Sequence, residues 1–323
     1  MSNKMPMLSV AVIRVFIAFN GLGLMTIPQV DAKSNVHMVY LGERQHHDSE
    51  LVTDSHFDLL ATVVGSKELP GVVRVIPNCL HRLLTTRSRD FLGLGISSHY
   101  PDNVLQKSKM GDGVIIGVFD TGIYPDSKAF TDEGLGPIPS RWKGVCQSGN
   151  QFNARIHCNN NKKKIGACWY IDAFLAEYGQ PLNTSENQEY LSPREANGHG
   201  THTSSTAAGS FVGNVRFRGL GPGMARGGAP PARLAVYKVC WIVLGGQCSS
   251  ADMLKAFDDA IHDGVDVLSL SIGSSIPLFP KVDERDGIAT GSFHAVARGI
   301  TVVCGAANDG PSAQTVQNTA PWI

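Results

Sequence analysis

The sequence has no excess of either charge: 28 Lys and Arg stand against 28 Asp and Glu in 323 residues. Nucleic acids and anionic membrane surfaces attract basic patches, so neither is expected as a partner. The one basic run, Lys162-Lys163-Lys164, is expected in a solvated loop. No two of the seven cysteines form a C-x-x-C pair. That removes the common zinc-site signature, and no metal or cofactor is expected. No acidic loop of the calcium-binding kind occurs, and there is no internal repeat or low-complexity tract. Beyond the first 32 residues no apolar run is long enough to cross a bilayer.

What is present is an ordinary globular composition, 42% hydrophobic and 17% charged. At about 150 residues per domain the length suggests two units. Residues 1–32 read as a secretory signal peptide. Lys4 supplies the positive charge, Val10 to Met25 is largely apolar, and Ala32 offers a small residue for cleavage. Arg14 and Asn20 break the apolar run and argue against a membrane anchor. Cysteine usage agrees with an oxidising compartment. Cys146/Cys158 and Cys240/Cys248 each bracket a short polar or Gly-containing stretch that a disulfide can close. Cys304 lies in an apolar run and is expected as a buried thiol.

Two regions follow the leader. Residues 33–84 hold strand-like runs at Val36–Leu41 and Gly71–Pro77, with helical spacing over Asp54–Val64 between them. This is a small α+β unit, too short for a sufficient core of its own. From Gly113 the pattern becomes strand–helix–strand. Val114–Phe119 is a continuous apolar run of the kind buried on both faces, and Arg233–Val239, Val265–Ile272 and Ile300–Cys304 look similar. Ser249 to Asp263 is a helix with Ser249 or Ser250 as its cap. Met253, Leu254, Phe257, Ala260 and Ile261 make its stripe, and Gly264 its stop. Asp286 to Arg298 is another helix, ended by Gly299. This alternation predicts an α/β fold with a helix-covered parallel sheet. In such sheets the chemistry gathers at the carboxyl ends of the strands.

Three residues stand at such ends or beside them. Asp120 directly follows Val114–Phe119, before Thr121-Gly122. A carboxylate there can orient a histidine, although an Asp in that position is also an ordinary turn-former. His199 stands in Gly198-His199-Gly200-Thr201-His202-Thr203, where flanking glycines permit close backbone approach. It is the better candidate for a general base, whereas His202 is expected to point into the helix. The His199/His202 pair also admits a metal reading, but the motif holds no carboxylate to complete a ligand set. Asn308, in Ala307-Asn308-Asp309-Gly310-Pro311, follows another buried strand. Its amide can donate to a developing oxyanion, an interaction worth roughly 3–4 kcal/mol, or simply make a turn. Asn183-Thr184-Ser185 is an N-glycosylation sequon.

Taken together these strings resemble the subtilisin-like serine proteases, and among them the plant subtilases. The carriers are Asp120-Thr121-Gly122-Ile123-Tyr124-Pro125, Gly198-His199-Gly200-Thr201-His202-Thr203, Tyr237-Lys238-Val239-Cys240-Trp241, Val265 to Gly273 and Asn308-Asp309-Gly310-Pro311. The resemblance covers essentially the whole chain. It implies a three-layer subtilisin-like sheet, with Asp120 orienting, His199 as general base and Asn308 as oxyanion donor. Subtilisin carries its own triad in the order Asp, His, Ser. Ser271-Ile272-Gly273 matches the strand edge that pairs with an extended polypeptide substrate. Residues 33–84 resemble an inhibitory propeptide, cut before Thr85, and are thus a second expected partner. Residues 85–323 would be the front of the peptidase domain of a secreted endopeptidase of the cell wall.

The sequence departs from that pattern in three places. No Gly-Thr-Ser-Met-Ala segment occurs, so the chain by itself is expected to lack its nucleophile and to be inactive, with its sheet incomplete. Gly65–Glu68 abuts Leu69–Val72 where the family has a central stretch, so the propeptide is expected to be shortened. Ala307 replaces the more usual Gly and would cost about 1 kcal/mol if the site needs a positive φ. The alternative reading is a non-catalytic secreted product of a truncated transcript that binds peptides or propeptides.

Overall fold

The apolar run beginning at Val114 becomes the middle strand of the principal sheet. A computed structural model describes residues 8–15, 35–43, 74–77, 80–83, 104–179, 182, 189–243, 247–274, 282 and 285–323. In chain order the strands are β1 (Leu8–Val15), β2 (Asn35–Glu43), β3 (Arg74–Pro77), β4 (Leu80–Leu83), β5 (Ile115–Asp120), β6 (Lys164–Trp169) and β7 (Val212–Phe217). They continue with β8 (Leu220–Ala225), β9 (Arg233–Lys238), β10 (Cys240–Trp241), β11 (Gln247–Ser249), β12 (Val267–Leu270), β13 (Ile272–Ser274) and β14 (Thr301–Cys304). The helices that matter for the site and its support are α1 (Asp172–Tyr178), α2 (His199–Ala208), α3 (Ser250–Asp263) and α4 (Gly287–Val296).

Five strands pair in parallel in the order β14-β12-β5-β9-β6. Along β5 successive side chains enter opposite layers, as the pleat requires. Ile115 and Phe119 join Tyr237, Phe257 and Leu268 on one side. Ile116 and Val118 join Leu234, Val236 and Ala208 on the other. Helices thus cover both faces of an α/β sheet, as the apolar runs predict. The stripe of α3 is buried at Met253, Leu254, Phe257 and Ala260. Gly264 ends that helix at φ +86°, its N–H reaching the Ala260 carbonyl. Ser249 is the N-cap residue, but its side chain makes no capping bond. Asp286 does cap α4, accepting from the N–H groups of Ile288 and Ala289 at 3.0 Å.

Three expectations need correction. β6 was not foreseen, because its sequence begins in the lysine run. Lys162 is exposed, but Lys163 and Lys164 are buried rather than solvated. The Lys163 ammonium donates to the carbonyls of Pro230 and Ala232 at 2.5 Å, and Lys164 to that of Pro125 at 2.8 Å. Backbone acceptors satisfy these amines where bulk water is excluded. The run Val265–Ile272 is two strands, β12 in the parallel sheet and β13 in another, with the change at Ser271. Cys304 is half-buried rather than buried.

A second sheet is antiparallel, in the order β10-β11-β4-β13. A third joins β1, β2 and β3; β1 arises within the segment read as the leader. The helix expected over Asp54–Val64 lies outside the described residues. Two disulfides form, Cys146–Cys158 and Cys240–Cys248, with Cα separations of 6.2 and 4.1 Å. Among the described residues no helix is long and apolar enough to cross a membrane.

Candidate active site

Asp120 is the last residue of β5 and is fully buried. Its Oδ1 accepts the Thr121 N–H at 2.7 Å and faces His199 Nδ1 at 2.6 Å. A carboxylate can only accept, so Nδ1 carries the proton. Oδ2 accepts the Thr203 hydroxyl at 2.8 Å. His199 opens α2, and Thr203 lies one turn later on the same helical face. That spacing was available in the sequence and could have identified Thr203 as a supporting residue.

Glycine makes this contact sterically possible. Gly122 adopts φ +106°, and a Cβ on Gly200 would fall 2.1 Å from the Gly122 carbonyl oxygen. The turn after β5 and the first turn of α2 therefore touch backbone to backbone. Their junction is closed by a buried carboxylate that sequence reasoning missed. Glu195 Oε2 accepts the Thr121 hydroxyl at 2.8 Å. Its Oε1 accepts the Thr201 N–H at 2.9 Å and also the Thr201 hydroxyl. Burial pushes the Glu195 carboxyl above the usual range, against the pull of its threonine donors. Lys238, registered beside Asp120 in β9, anchors the approach to this segment. Its ammonium meets Glu189 at 2.7 Å and the carbonyls of Tyr190 and Arg194 at 3.0 and 2.8 Å.

The other predicted residues occupy neighbouring strand ends. Ser271-Ile272-Gly273 follows β12, which pairs directly with β5. Asn308 is exposed in the loop after β14, the next strand outward. Ala307 before it has φ +76°, a left-handed conformation. The Asn318 amide ties this loop to the strand edge, donating to the carbonyls of Ile272 at 2.9 Å and Gly305 at 2.7 Å. His202, expected to point into the helix, is exposed instead. Among the described residues no group of three or more His, Cys, Asp or Glu is placed to hold a metal ion. Asn183 lies outside the described residues.

Two short strand edges face each other in the antiparallel sheet, β13, which follows β12, and β11. Only β13 was anticipated, through Ser271–Gly273. The opposite edge is β11, stapled to β10 by Cys240–Cys248. Between them lies β4, antiparallel to both. Leu83, Arg82 and His81 stand opposite Ile272, Gly273 and Ser274, while Arg82, His81 and Leu80 stand opposite Gln247, Cys248 and Ser249. β4 is thus an extended segment paired along both of its edges.

The profile of the subtilase family, Peptidase_S8, matches residues 111–322. The chain belongs to the subtilase family. Two relatives of this subtilase are the subtilisin-like proteases SBT3.10 and SBT3.5 of Arabidopsis thaliana. They are 51% and 49% identical to it, over 91% and 93% of its length. The subtilase spans 42% of each of those proteins. Among solved structures, MycP1 with its N-terminal propeptide removed aligns over 69% of this chain and 49% of its own, at 16% identity and a TM-score of 0.38. That likeness is too distant to bear on the site.

Proposed function

We propose that this subtilase serves as a secreted serine endopeptidase, with Asp120 orienting His199, His199 acting as general base and Asn308 donating to the oxyanion. The observation that carries the reading is the 2.6 Å contact between the buried Asp120 and His199, and it is joined by an extended strand, β4, paired on both sides with β11 and β13. The Nδ1–H bond to Asp120 fixes the tautomer and leaves Nε2 as the base. Asp120 also stabilises the imidazolium that forms when a serine proton is taken. Ser271-Ile272-Gly273 would read substrate backbone, as β13 pairs with β4. In the same reading residues 1–32 are the leader, 33–84 the propeptide whose end pairs between β11 and β13, and 85–323 the front of the peptidase domain.

Acyl transfer by this route needs a nucleophile. The sequence has no Gly-Thr-Ser-Met-Ala segment, so the activity is proposed for a polypeptide that carries one. The test is hydrolysis of extended fluorogenic peptides by such a protein. D120N should lower kcat by about 10⁴-fold and H199A by about 10⁶-fold. A folded protein that cleaves no peptide would sink the endopeptidase reading. A second reading, peptide binding without cleavage, is favoured by the double pairing of β4. Residues 85–323 would then bind a synthetic peptide of residues 74–84, and a flat binding isotherm would remove it.

A further inference from the structure

The Thr121 hydroxyl has one proton and two carboxylates within reach. Glu195 Oε2 lies 2.8 Å away and Asp120 Oδ1 3.3 Å away. One of its lone pairs is occupied, since the Gly200 N–H donates to Thr121 Oγ1 at 2.9 Å. Thr201 has the mirror arrangement. Its hydroxyl accepts the Tyr124 N–H at 2.7 Å and faces Glu195 Oε1. Each threonine thus takes a backbone N–H across the junction, and each hydroxyl proton points at Glu195. Asp120 Oδ1 meanwhile already serves two donors, the Thr121 N–H and His199 Nδ1.

From this geometry we infer that Glu195 is a positioning residue: by taking the Thr121 hydroxyl proton it keeps that donor off Asp120 Oδ1, the oxygen that holds His199. The inference rests on the Asp120–His199 pairing proposed above. Without the Glu195 carboxylate the proton swings toward Asp120. A third donor on one oxygen spreads its charge and weakens each of its bonds. In E195Q the side-chain amide that faces Thr121 donates, and a donor cannot receive the hydroxyl proton.

The reporter is the low-field Nδ1–H resonance of His199 in the histidine-labelled 323-residue chain, assigned by its loss in H199Q. In E195Q it is expected to move upfield. In a T121V background, which has no hydroxyl to swing, E195Q should move it no further. A resonance unmoved in E195Q, or displaced equally in both backgrounds as a plain field effect would require, overturns the inference. Should the amide spectrum show E195Q unfolded, E195D decides. It keeps the charge but withdraws the carboxylate, so the same upfield movement is expected and an unmoved line overturns the proposal. The resonance is read without substrate. A protein that cleaves no peptide but shows the E195Q shift would count against the endopeptidase reading and leave this inference standing.

Discussion

Asp120 and His199 meet because two residues between and beside them lack a Cβ where one would collide. A methyl on Gly200 would sit 2.1 Å from the Gly122 carbonyl, and backbone cannot yield as a flexible side chain can. G200A is therefore expected to lower stability by about 3 kcal/mol and to separate the pair. Thermal unfolding and the His199 Nδ1–H resonance would read the two effects. Ala307 makes the opposite case. It holds φ +76°, a region L-residues enter at a cost, so A307G should stabilise the chain by about 1 kcal/mol. A urea titration showing A307G neutral or destabilising would contradict this.

At the scale of elements, β4 is held between two short strands of one sheet, β11 and β13. β13 is tied by Asn318 and β11 by Cys240–Cys248. The disulfide closes a loop of eight residues, and disulfides of small loops are typically worth about 2–3 kcal/mol. Replacing both cysteines by serine should lower stability by roughly 2 kcal/mol. If β11 forms one wall, the same variant should also weaken binding of extended peptides several-fold. Unchanged peptide affinity in a correctly folded variant would show that β13 alone carries the pairing. N318A tests the opposite wall, and a similar loss of affinity is expected.

At the scale of the whole molecule, two buried groups give stability opposite pH slopes. Burial holds Lys163 down from 10.5 to about 7, with Arg233 adding repulsion. Between those values the unfolded chain binds a proton that the folded chain does not. Its contribution to stability is therefore full above 10.5 and is lost as pH falls through 7. K163M should remove this slope. Asp252 is pushed up from 3.8 to about 6 by burial, although it accepts the N–H groups of Ala173 and Phe174 that begin α1. Here the folded chain keeps the extra proton. That contribution is full below 3.8 and is lost as pH rises through 6, an effect of up to about 3 kcal/mol. D252N should flatten the stability profile between pH 4 and 6 relative to the parent, and equal profiles would reject the assignment.

The sequence by itself determined the parallel sheet, and with it the line of strand ends on which the candidate site lies. Val114–Phe119 carries no polar side chain, and Leu234–Tyr237 is apolar at successive positions, as suits strands covered on both faces. Asp120 stands out because it follows such a run and His199 because glycine flanks it; the strand before Asn308 reads the same way, but it is the edge of the sheet, with Thr301 and Val303 exposed. Those are local signals, complete within a few residues. Tertiary structure decided what depends on distant partners. Lys163 is buried because carbonyls 67 and 69 residues away receive its ammonium, so a lysine run became the start of β6. β4 lies between β11 and β13, edges drawn from 247–249 and 272–274, and no periodicity in Leu80–Leu83 announces that. Glu195 has no signature of its own. Its role exists only because the fold carries Thr121, 74 residues earlier in the chain, to within 2.8 Å of its carboxylate.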